Sequence, residues 1–163
     1  MKKLLIPLLL ACSPLLSAQE TTTTSPVVAA LSTPSTQYLT EARPAADAQF
    51  YIYLCSASWC PPCRAIMPKV VAMYPEIKAA GGEIILLCFD QTPEAGKAYA
   101  KKYDAGFPFV MSGFQSVGSL KLPGFSAPRG IPHATFVSAD GKVLYSGHGV
   151  STLNWKLVTT EKL

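Results

Sequence analysis

Two stretches of the chain are apolar without alternation. FYIYLCSA (residues 50–57) and EIILLCFD (83–90) have the length and side chains of strands covered on both faces. Between them, from Cys60 to about Ala80, apolar positions recur at helical spacing and the run closes at Gly81-Gly82. TPEAGKAYAKKY (92–103) predicts a second helix: Thr92 can cap it, Pro93 fits its first turn and Glu94 meets the positive end of its dipole. FPFVM (107–111) reads as a short strand or loop, and the Gly- and Ser-rich residues 112–130 as loop with at most one helical turn. HATFVSADGKVLYSG (133–147) reads as two short strands turning at Asp140-Gly141, and STLNWKLVT (151–159) as a short terminal helix. Two buried strands joined by a helix predict a parallel pair with a right-handed crossover, and the hairpin makes the sheet mixed. The predicted class is α/β, with a central sheet and helices on both faces.

The N-terminal end departs from this pattern. MKKLLIPLLLACSPLLSAQE (1–20) has two lysines, an apolar run and small residues near its end, the pattern of a secretory signal over residues 1–18. Two processing routes are open. Cleavage after Ala18 leaves a soluble chain starting at Gln19, whereas LLAC (9–12) matches a lipoprotein box that would make Cys12 a lipid-bearing N-terminus. Either route puts the folded part outside the cytoplasm, periplasmic or secreted in the first case and membrane-anchored facing the periplasm in the second. Disulfides persist there. Residues 19–40, rich in Thr, Ser, Pro and Ala, read as a flexible linker, and residues 41–163 as one domain.

Composition adds limits more than content. The chain is 49% hydrophobic and 15% charged, enough apolar material for one core. Its formal charge is +4, and without Lys2 and Lys3 it is +2. The basic residues are scattered, so nucleic acid is not an expected partner.

The chemistry concentrates in SASWCPPCRAIMPKV (56–70). A Cys-x-x-Cys pair at a strand-to-helix junction is a redox signature. Two residues of separation at a helix start let the sulfurs face each other across one turn. Cys60 falls at the helix N-terminus, where unpaired N–H groups and the macrodipole favour an anion. Such placement lowers a thiol from its free pKa of about 8.5 toward roughly 3.5–7.5. Cys63, one turn in, is expected to be more buried. Pro61 and Pro62 fit the first turn, where a missing N–H costs little, and Pro68 should kink the helix. Trp59 can offer a flat apolar surface to an incoming polypeptide.

These residues resemble the thioredoxin superfamily. The resemblance rests on WCPPCR (59–64), on Pro68 eight residues after Cys60, and on GIPHATFVSADGKVLYSG (130–147), which looks like that family's cis-proline loop and hairpin. It covers roughly residues 50–149. The stretch FYIYLCSASWCPPCR is similar to tryparedoxins and nucleoredoxins, and the 72-residue interval from Cys60 to Pro132 suits the tryparedoxin-like and TlpA-like branches, which carry an added strand–helix unit there. The resemblance implies a thioredoxin fold and a protein-disulfide reductase type of enzyme. Cys60 would be the nucleophile and Cys63 the resolving thiol, with Trp59, Pro61, Ile131 and Pro132 binding the substrate chain. No cofactor or metal is implied. The implied partners are disulfide-containing proteins and a membrane or exported thiol protein that donates electrons. TlpA-like relatives mostly reduce, so reductase is the expected direction.

The sequence departs from plain thioredoxins in three places. Leu54 stands where they keep a buried carboxylate six residues before the first cysteine, leaving Asp90, at the end of the second strand, as the candidate for proton transfer to Cys63. His133 follows the expected cis-proline where Thr is usual, and beside the cysteine pair it could tune Cys60. Little chain remains after the hairpin, so the terminal helix must be short.

Plainer readings stand beside these. Cys55 and Cys88 lie in apolar strands and read as small buried hydrophobes, a bridge between them being geometrically awkward. His133 could equally be an ordinary loop histidine, His148 a surface residue and Trp155 a packing residue. The rival from another class is a copper chaperone using Cys60, Cys63 and a histidine, although copper carriers of this fold space their cysteines more widely. A peroxidase would need an isolated peroxidatic cysteine, which the two-residue spacing opposes.

Overall fold

A computed structural model describes residues 24–112, 120–148 and 154–162. The expected leader (1–18) lies outside the described residues. Five strands form one sheet in the order β3-β2-β1-β4-β5. They are β1 (Phe50–Ser56), β2 (Gly82–Cys88), β3 (Phe109–Met111), β4 (His133–Ser138) and β5 (Val143–His148). The apolar run of β1 takes the centre, parallel to β2 and antiparallel to β4, and every residue of β1 and β2 is buried. β3 extends the parallel part beyond β2, and β5 closes the antiparallel hairpin. The hairpin turns at Gly141, whose φ of 86° suits glycine and whose Cα faces Pro123 too closely to admit a Cβ.

Alternation along β1 divides the core in two. Phe50, Ile52 and Leu54 face one cluster. It takes in Ile66, Met67, Val70 and Ile77 of α2 (Pro61–Ala79), Tyr99 and Ala100 of α3 (Pro93–Lys102) and Trp155 of α4 (Trp155–Lys162). Trp155 stacks on Phe50 with ring centroids 6.4 Å apart, the packing role expected of it. α3 and β3 both lie in the long interval between Cys60 and Pro132.

Tyr51, Tyr53 and Cys55 face the opposite cluster, and here the N-terminal expectation needs correcting. Residues 25–40 are packed structure in the fold, not a free linker. Ser25 caps α1 (Pro26–Leu31), and Val27 and Leu31, one helical turn apart, are fully buried against this face. Ser25 Oγ donates to Ala139 O in the β4–β5 turn (2.8 Å). At the other side of the sheet, Leu39 N donates to Phe109 O (2.8 Å) and Met111 N to Gln37 O (2.9 Å). The segment therefore crosses from the hairpin to the outer edge of β3. The Thr/Ser/Pro composition concealed two apolar anchors, each worth about 1.5–3 kcal/mol when buried. The packed domain reaches back to at least Ser25, not Glu41.

Candidate active site

β1 and β2 are parallel, so their C-terminal ends open on the same side of the sheet, where the loop into α2 begins. Cys60 is the N-cap of α2, and its Sγ accepts a hydrogen bond from Cys63 N at 3.3 Å. Cys60 and Cys63 form a disulfide with a Cα–Cα distance of 5.2 Å. Cys60 is 4% exposed and Cys63 fully buried, so Cys60 is the sulfur with access to solvent. Pro61 and Pro62 occupy the first turn and Pro68 the helix interior, as the sequence predicts, together with a second internal proline, Pro75.

The loop before Cys60 is held by Asp90. Its carboxylate accepts from Ser58 N (3.2 Å to each oxygen), from Ser58 Oγ (2.6 Å) and from Cys88 Sγ (3.1 Å), and it is 2% exposed. The Arg64 guanidinium donates to Ser58 O (3.1 Å) from the other side. Trp59 is half exposed, and its indole Nε1 donates to Phe89 O (3.2 Å), which orients the ring beside the cysteines. Sequence reasoning placed Asp90 near the site by topology but missed this clamp. The signal available was the shared C-terminal edge of two parallel strands, with Ser58 and Asp90 each two residues beyond its strand.

Across the dithiol lies the loop ending at the cis Ile131–Pro132 bond. Ile131 O is 3.7 Å from Cys60 Sγ, within reach of a thiol proton in the dithiol state. Ile131 is half-buried and Pro132 buried. His133 opens β4 rather than lying in the loop. It is 9% exposed, its Nε2 pairs with Ser146 Oγ (2.8 Å), and its Nδ1 is buried with no partner among the described residues. It meets the ring of the exposed His148 edge-on, with centroids 4.7 Å apart. Burial, and then the neighbouring His148, hold His133 below the usual histidine range.

The other strand cysteines are free and buried. Burial pushes both thiols up to about 12. They occupy opposite faces of the sheet, Cys55 among the residues around the dithiol and Cys88 in the other cluster, which explains why no bridge joins them. Among the described residues no group of three His, Cys, Asp or Glu side chains is arranged to hold a metal ion.

Known proteins agree with this geometry. The chain is 34% identical over 87 residues to the thiol-disulfide oxidoreductase ResA of Bacillus cereus, covering 53% of this chain and 47% of that protein. It is 31% identical over 102 residues to human nucleoredoxin, 61% of this chain and 22% of that one. The chain thus spans about half the length of the ResA proteins it matches. Among solved structures, a thiol:disulfide interchange protein of the thioredoxin family from Chlorobium tepidum superposes with a TM-score of 0.58 at 21% identity, covering 71% of this chain and 80% of that one. StoA from Bacillus subtilis gives 0.56 at 17%, covering 69% and 84%. These likenesses show the fold, which is the thioredoxin fold. The pattern described as the AhpC/TSA family matches residues 39–146, more than half of the sequence, and the chain belongs to that family.

Proposed function

We propose that this chain is an exported thiol–disulfide oxidoreductase that works on protein disulfides, with reduction as its direction. The observation that carries this reading is the Cys60–Cys63 disulfide at the N-terminus of α2, facing the Ile131–Pro132 loop. In the reduced state, Cys60 thiolate attacks one sulfur of a substrate disulfide. That S–S bond breaks, one substrate thiolate leaves and takes a proton, and a mixed disulfide remains on Cys60. Cys63 then gives up its proton and attacks Cys60 Sγ, the mixed disulfide breaks, and the second substrate thiol departs. Two electrons and two protons have moved to the substrate, and the pair is left as a disulfide. The Cys63 N–H beside Cys60 Sγ and the helix dipole favour the thiolate at the attacking position.

Trp59, Pro61, Ile131 and Pro132 form the substrate contact: an exposed ring and an exposed proline on one side of the sulfurs, and the loop backbone on the other. A membrane or exported thiol protein then restores the dithiol. The leader pattern of residues 1–18 supports export, by the soluble route or with Cys12 as lipid anchor, and the ResA likeness supports a thiol-exchange role.

Two measurements test this. The protein should catalyse insulin reduction by dithiothreitol, and Cys60→Ser should not. Equilibration of the Cys60–Cys63 couple with glutathione should give a potential near the reductant end, about −270 mV, whereas a value near about −120 mV would make it an oxidant.

A further inference from the structure

Against the loop and first helical turn that carry the dithiol lies an open cleft of about 250 Å³, lined by Ser58, Arg64, Ala95, Ala98, Tyr99 and Lys102. Its α3 wall is the face 95, 98, 99 and 102, and the two alanines leave its middle open. Its other wall is the loop and first turn that carry the cysteines: Ser58 is two residues before Cys60, Arg64 four after it. The cleft holds two cations and no acid. Among the described residues the ion pairs are Lys78–Glu83 and Lys156–Glu76, so neither Arg64 nor Lys102 has a carboxylate partner. The carboxylate tied to the floor, Asp90, is engaged by Ser58 and Cys88, and Glu94 in the first turn of α3 is not part of the lining. A neighbouring cleft on another face of α3 contrasts with it: there Glu41 and Asp104 accompany Lys97 and Lys101, and the charges are matched internally.

The walls are built to hold their shape. Arg64 keeps one Nη1 bond to Ser58 O, which fixes the guanidinium at the cleft and leaves its other N–H groups available. Tyr99 is 2% exposed, with its hydroxyl paired to Ser56 Oγ (2.9 Å). An anion entering here would meet the Arg64 fork from one side and, from the other, the Lys102 ammonium, whose Nζ lies 5.5 Å from the centroid of the Tyr103 ring.

We infer that this cleft is a specificity subsite that receives an Asp or Glu side chain of the disulfide-bearing polypeptide, placed within a few residues of the cysteine that Cys60 attacks. The inference rests on the thiol-exchange function proposed above. Because both cations are exposed, the subsite selects among substrates and speeds their encounter without being needed for exchange itself.

The test uses synthetic disulfide peptides carrying Glu, Gln or Lys at positions scanned around the cysteine. Second-order rate constants for attack by the reduced protein are normalised to each peptide's rate with free dithiothreitol, which removes differences in leaving-group chemistry. At low salt a Glu peptide should react roughly threefold to tenfold faster than its Gln counterpart, and the advantage should shrink at high salt. Lys102→Glu should abolish or invert the order, whereas Lys97→Glu, the same charge change in the neighbouring cleft, should keep it. Equal rates for Glu and Gln peptides, or a preference that survives Lys102→Glu, would overturn the subsite while leaving thiol exchange intact. Absence of exchange with every peptide would instead overturn the functional reading, and the subsite with it.

Discussion

Replacing Asp90 by Ala should loosen the loop that presents Cys60. Asp90 is almost fully buried and accepts from Ser58 N, Ser58 Oγ and Cys88 Sγ. A hydrogen bond to a charged group contributes about 1.5–3 kcal/mol, and a thiol donor less. Part of that loss is offset because the variant no longer buries a carboxylate. The net destabilisation should be about 2–4 kcal/mol, which for a chain of this size lowers the melting midpoint by about 5–15 °C. Asp90→Asn keeps an acceptor for Ser58 Oγ and should show about half the effect. The assay is calorimetry with Cys60–Cys63 held oxidised, so that the cross-link in the unfolded chain is the same throughout. The second readout is the rate at which reduced protein attacks a small aromatic disulfide, which should fall several-fold because Ser58 no longer fixes the approach to Cys60. An Asp90→Ala midpoint within about 2 °C of wild type would refute the clamp.

Leu31→Ala should cost about 2–4 kcal/mol in urea unfolding, since Leu31 is fully buried; a surface-like effect below about 0.5 kcal/mol would mean that α1 does not belong to the folded unit. His133 has its proton affinity lowered by burial and by His148. Above the unfolded histidine pKa of about 6.5 it is neutral in both states and adds no pH dependence. Below that value the unfolded chain takes up a proton that the fold resists, so stability should fall as pH drops through about 6.5. Urea midpoints of wild type and His133→Gln compared over this range should show the decline reduced in the variant, and equal slopes would contradict the assignment. In the reduced native protein, iodoacetamide at neutral pH should label Cys60 and spare Cys55 and Cys88, whose thiols are raised to about 12; peptide mass mapping before and after unfolding checks this.

Strong local signals made most of the fold legible. The unbroken apolar runs of β1 and β2, the Thr92-Pro93 helix start and the Asp140-Gly141 turn each carry a local physical cause, and each element lies within a few residues of its expected place. The dithiol was readable for the same reason, because a Cys-Pro-Pro-Cys at a strand-to-helix junction fixes both spacing and position in one short stretch. What stayed hidden depends on contacts far apart in the chain. α1 has a Ser25-Pro26 start like that of Thr92-Pro93 but only one turn of apolar spacing behind it, Val27 to Leu31, and these two are buried in a cluster with strand residues distant in sequence. The Ser58–Asp90 clamp joins residues separated by 32 positions, and the packing of His133 on His148 depends on the hairpin register. Neither leaves a periodic trace in the sequence.

The account rests on Cys60 as the sulfur that attacks, with Cys63 resolving the product. Trapping separates the two roles directly. Cys63→Ser, reduced and then mixed with a disulfide-bonded protein, should accumulate a covalent adduct that peptide mass spectrometry maps to Cys60, while Cys60→Ser should accumulate none. An adduct mapped to Cys63, Cys55 or Cys88, or continued substrate reduction by Cys60→Ser, would contradict the account.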